Sequence, residues 1–103
     1  MNNDIQAALT KFVDSVQVMQ DEYMENARPL LGRALITVEL GKRYAKLVRV
    51  RGTSRSVYCF VDLTNGDILK AATWKAPAKH ARGNILAVDP MSAVDVYGAN
   101  YLR

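Results

Sequence analysis

Apolar residues at Ile5, Leu9, Phe12, Val16, Met19 and Tyr23 recur at alternating spacings of four and three. That period gathers them into one stripe of an amphipathic helix running from residue 4 to residue 26. Asn3 followed by Gln6 resembles a capping box, and Asp4 suits the positive end of the helix dipole. Pro29 ends the helix, since it lacks an amide hydrogen and turns Arg28 away from helical angles. The 3.5-residue spacing suits two arrangements: a helix laid across a sheet, which is favoured, or a two-helix seam between subunits.

After residue 33 the period drops to two. ALITVEL (34–40) places Ile36, Val38 and Leu40 on one face and Thr37 and Glu39 on the other. Gly41-Lys42 turns the chain into RYAKLVRVR, and the polar GTSR loop leads to SVYCFVDL. Asn65-Gly66 has the composition of a two-residue hairpin turn, with DILKAA (67–72) returning as the partner strand. The expected fold is therefore α+β: an N-terminal helix packed on a four-stranded antiparallel β-meander, in one domain spanning 1–103. The segment after Ala72 is irregular, with room for a short helix from Pro77 to Arg82 that starts on Pro and is capped by Gly83. Asp89-Pro90 marks a turn, and a tail with Tyr97 and Tyr101 is expected to pack on the domain or on a neighbouring subunit.

Composition changes this picture little; charge changes it more. Half of the 103 residues are hydrophobic and 23% are charged, as in an ordinary globular chain. The single cysteine, Cys59, cannot form an intramolecular disulfide, and no apolar run approaches the ~20 residues of a membrane span. The start MNNDIQ does not resemble a secretory signal, so a cytoplasmic setting without membrane partners is expected. The net charge of +4 is unevenly spread: residues 1–26 carry five carboxylates against Lys11, and the remainder carries 13 basic and 5 acidic residues. An acidic helix on a basic body suggests self-complementary packing, an anionic partner, or simply a solvated charged surface.

The chemistry-bearing residues do not assemble a catalytic set. Cys59 lies mid-strand between Tyr58 and Phe60, where an inert buried thiol is expected. His80 is the only histidine, which leaves a zinc site without its usual partners. Asp62 and Asp67 flank a turn, a common structural place for Asp. No phosphate-binding glycine loop or nucleophile elbow is present, so no enzyme activity, cofactor or metal is expected.

Two basic groups point instead to a phosphate-bearing ligand. The first is Lys46, Arg49, Arg51 and Arg55, with Lys42 and Arg43 beside them. Alternation puts Arg49 and Arg51 on the face of Ala45 and Leu47, and Lys46 on that of Tyr44, Val48 and Val50. The second group surrounds Trp74: Lys75, Lys79, His80 and Arg82. On a short helix 75, 79 and 82 would share a face, with Trp74 as a plate on which a base stacks. The competing structural readings are an edge strand protected by charge and a Trp anchoring a strand.

The pattern WKAPAKHARGN, with VYCFVDLTNGDILKAA before it and YGANYLR at the end, resembles a family of small uncharacterised proteins of tailed bacteriophages. The resemblance covers Val57 to Arg103 and implies an origin, not a mechanism. Its setting would be an infected bacterial cytoplasm, where small phage proteins commonly bind nucleic acid, block a host protein or sequester a nucleotide signal of antiphage defence. The leading expectation is thus a non-enzymatic protein binding a polyanion, most plausibly nucleic acid, through its basic surface. Two alternatives stand beside it. One is a homo-oligomeric sponge holding a nucleotide between Trp74, Asn84 and the C-terminal tyrosines; the other is an inhibitor that presents its acidic helix to a host protein.

Overall fold

A computed structural model describes residues 3–100, with Asn3 by its backbone alone. The capping role read for the Asn3 side chain, and Tyr101, therefore lie outside the described residues. Helix α1 spans Asn3–Ala27, as the periodicity predicts, and a 3-10 turn follows at Pro29–Leu31. Strands β1 (Leu35–Leu40), β2 (Tyr44–Arg51), β3 (Ser54–Asp62), β4 (Asp67–Ala71) and β5 (Pro77–Asn84) form one antiparallel sheet in the order β1-β2-β3-β4-β5. A second 3-10 turn at Pro90–Ala93 leads to a two-residue ribbon of β6 (Val94–Asp95) and β7 (Gly98–Ala99). No described helix is long and apolar enough to cross a membrane.

The helix lies on one face of the sheet. Ile5, Leu9, Phe12 and Val16 are buried against Ala45, Leu47, Cys59, Val61 and Ile68. In the last turns the buried positions are Gln20 and Met24, whereas Met19 and Tyr23 are only half-buried. A straight helix of 3.6 residues per turn drifts away from a strict 3.5-residue stripe, so the buried line passes one position beyond the expected residues. Gln20 is fully buried and fully bonded: its Nε2 donates to the Val96 carbonyl at 2.7 Å, and its Oε1 accepts from Arg49. Gln17 ties the helix to the start of β1, donating to the Ala34 carbonyl and accepting from the Ile36 amide, both at 2.8 Å.

The meander has five strands, one more than expected, because Pro77–Asn84 is a strand and not a helix. β5 pairs with β4 through two irregularities in register, which is why its sequence lacks clean alternation. The β3–β4 connection also differs from a two-residue turn. It is a four-residue loop, 63–66, in which only Gly66 has positive φ (86°), and the Gly66 amide donates to the Asp62 carbonyl at 2.7 Å. A two-residue type I′ turn needs positive φ at both central residues, and Asn65 does not adopt it. Asn65 instead accepts from the Asp67 amide with its side-chain oxygen.

Candidate nucleic-acid interface

The sheet face opposite α1 carries a cross-strand row: Glu39 beside Lys46, Lys46 beside Phe60, Phe60 beside Leu69, and Leu69 beside Ala81. No described helix covers this face, yet Val48, Phe60 and Leu69 on it are buried. Long basic side chains and the rings of Trp74 and Tyr44 lie over it. The Lys46 ammonium sits 4.3 Å from the centroid of Trp74, and the Arg55 guanidinium carbon sits 5.4 Å from it. Tyr44 meets Phe60 edge-to-face at 6.1 Å, with Arg43 over the Tyr44 ring at 5.1 Å.

Trp74 reaches this position from the β4–β5 loop, whose shape its own residues fix. Thr73 Oγ1 accepts from the Lys75 and Ala76 amides, and the Ala76 carbonyl accepts from the Ala72 and Thr73 amides. That tight turn projects Trp74 back across the sheet with 40% of its surface open. Lys46 and Arg55 share Glu39, at 3.9 and 2.9 Å. Lys75 adjoins Lys42, Arg43 and Lys46 around a shallow groove of about 290 Å³ that Tyr44 and Phe60 also line.

The two basic groups seen in the sequence are therefore regrouped. Lys46 and Arg55 join Trp74 and Lys75 on the open face. Arg49 and Arg51 lie on the helix side, as the strand alternation predicts, in a cleft of about 400 Å³ near the end of α1. Lys79 and His80 are exposed on the edge strand β5. Arg82 is drawn back instead: it donates to the His80 and Asn100 carbonyls, both at 3.0 Å. Since 77–84 is a strand, Lys75, Lys79 and Arg82 do not share a helical face. Asn84 spends its amide on the β3–β4 loop, donating to the Asn65 carbonyl and to Asp67.

Strand sequence alone did not reveal the placement of Trp74 over Lys46, 28 positions earlier, because it depends on which way the 72–76 turn points. Arg28, Tyr23 and Ser56, which join Arg49 and Arg51 in the helix-side cleft, were not singled out as site residues either. Their only signals were the position before a helix-ending proline, the end of an apolar stripe and the polar start of a strand run. Among the described residues, no group of three or more His, Cys, Asp or Glu side chains is placed to hold a metal ion. Cys59 is fully buried, and burial pushes its thiol well above its usual pKa. Burial also raises the Tyr58 phenol, which donates to the Asp95 carbonyl.

The model of a family of unknown function, DUF7717, matches residues 2–98. The chain belongs to that family. The match takes in the helix and the whole five-stranded sheet. No curated protein and no solved structure matches the chain.

Proposed function

We propose that this DUF7717 protein binds nucleic acid through the open face of its sheet, without catalysing a reaction on it. The observation that carries this reading is the meeting of Lys46, Arg55 and Lys75 with a part-exposed Trp74 on a face that no described helix covers. Cations spaced along a groove hold successive phosphates, and an aromatic surface among them stacks a base of any sequence. The groove is shallow, which suits an extended strand better than an enclosed small molecule. Glu39 holds Lys46 and Arg55 in place in the free protein, and a phosphate would compete with it for both. Lys42 lines the same groove, and Lys79 adds an exposed positive charge on the edge strand β5.

The direct test is retention of single-stranded and duplex DNA and RNA by the wild-type chain as salt is varied. Affinity should fall linearly in log–log form, with a slope counting the phosphates engaged. Absence of binding to all four even at low salt would end this reading. A bacteriophage origin would place the target in an infected cell, where the same surface would meet phage or host nucleic acid.

A further inference from the structure

The helix-side cleft is a second concentration of positive charge, separate from the open face. Arg28 follows the last turn of α1, and Arg49 and Arg51 rise from β2 beneath it. Arg49 is held rigidly: its Nε donates to buried Gln20 Oε1 at 2.9 Å, and one terminal nitrogen lies 3.7 Å from the Met24 sulfur. Gln20 is itself anchored to the Val96 carbonyl, so the guanidinium is fixed by the core rather than by an acid. Among the described residues, Arg28, Arg49 and Arg51 form no salt bridge, whereas Arg33, Arg43, Lys46 and Arg55 each have a carboxylate.

The remaining wall is mixed. The Ser56 hydroxyl adds a donor, and Met24, Leu31 and Val96 supply apolar surface. Tyr23 and Tyr97 meet edge-to-face with centroids 6.2 Å apart and hydroxyls at 3.3 Å. The C-terminal end of α1 opposes an anion here, but it amounts to roughly half a negative charge against three guanidiniums. The guanidiniums dominate.

We propose that this cleft binds a phosphomonoester, with the phosphate held by Arg28, Arg49 and Arg51 and the organic part laid against the Tyr23–Tyr97 pair. Guanidinium forks match phosphate oxygens bidentately, and a cleft of about 400 Å³ lies within the size range of small-molecule sites. The site does not depend on the open face binding nucleic acid. Its ligand is either a free mononucleotide-like compound or the phosphorylated end of a strand, which present the same group.

Calorimetry with adenosine 5′-monophosphate, inorganic phosphate and adenosine tests the assignment. The monophosphate should bind saturably, phosphate more weakly and in competition with it, and adenosine not at all. Arg49→Ala would strip Gln20 of its partner inside the core, so the informative variant is Arg28→Ala with Arg51→Ala. It should weaken the monophosphate by tenfold or more, the scale of losing charge-assisted hydrogen bonds, as ~1.4 kcal/mol is a factor of ten. Lys75→Ala with Lys79→Ala, neither of which lines the cleft, should leave it within about twofold. A short oligonucleotide should compete better with a 5′-phosphate than with a 5′-hydroxyl if strand ends are the source, and equally if the free compound is. The proposal is overturned by no saturable binding of the monophosphate, by adenosine binding as well, or by full affinity in the folded Arg28/Arg51 variant. Equal loss in the Lys75/Lys79 variant would also overturn it, since binding would then belong to the open face.

Discussion

Gln20 and Arg49 are joined by a 2.9 Å hydrogen bond that runs from the sheet into the buried face of the helix. The same Gln20 amide binds the Val96 carbonyl, so one side chain links helix, sheet and tail. Gln20→Leu keeps the volume but leaves a part-buried guanidinium and a carbonyl without their partner. The expected cost is about 1–3 kcal/mol, read as a lower melting temperature in thermal denaturation. An unchanged melting temperature would mean that these groups find water as readily.

Two glycines are fixed by backbone geometry. Gly66 has φ 86°, and an added Cβ would meet Asn84 Oδ1 at 3.0 Å. Gly98 has φ 131°, and its Cβ would lie 2.5 Å from the Tyr58 carbonyl oxygen. Gly66→Val and Gly98→Ala should each destabilise by roughly 1–3 kcal/mol or more, with the second also loosening the tail from β3. Denaturant titration gives both values.

Asp62 makes the fold acid-sensitive. Burial alone would raise its carboxyl, but hydrogen bonds from the Thr64 hydroxyl and amide and the Arg43 guanidinium outweigh this and hold it below the usual range. A depressed folded pKa contributes stability above the unfolded value near ~3.9, and that stability is lost as pH falls through the folded value. The melting temperature of wild type should therefore drop more steeply below about pH 4 than that of Asp62→Asn, which should be less stable at neutral pH.

Cys59 should be chemically silent in the folded protein. It is fully buried, and burial disfavours the thiolate that reacts. A thiol reagent should label it only at the rate of unfolding, and quickly in denaturant; rapid labelling of the native chain would contradict the packing of β3.

Lys75→Ala on the open face, combined with Lys79→Ala on the neighbouring edge strand, should weaken nucleic acid almost uniformly across sequences and reduce the salt slope by up to about two units. Trp74→Ala should lower affinity with little change in slope, because stacking releases no counterions. Glu39→Gln should act in the opposite direction, raising affinity, since it frees Lys46 and Arg55 from their shared carboxylate. Stability should hardly change, as exposed ion pairs contribute little. Filter binding across a salt series reads all three.

Much of the fold was legible because its signals are local. The helix announces itself through Ile5 to Val16, and the strands up to Ala71 through alternation and Gly-containing turns. β5 does not: KHARGN has neither alternation nor β-branched residues, and it is a strand because β4 offers it a pairing edge. Gln20 was invisible for a related reason, since a count of apolar positions skips a glutamine whose polar atoms are all bonded. The candidate sites were legible as residue types but not as groups. Nothing near Trp74 in sequence shows that it will lie on Lys46, and nothing near Arg49 shows that Arg28 will close the cleft above it. Those pairings belong to the geometry of turns and crossings.

The order of the strands in the sheet is also their order along the chain. Each strand that leaves a ribosome thus finds its neighbour already waiting, and the sheet can grow by successive hairpins with short loop closures and no threading. The late arrivals are Val96 and Gly98, which seal against Gln20 and Tyr58 from far upstream. Until they emerge, the nascent chain has its scaffold but not its latch.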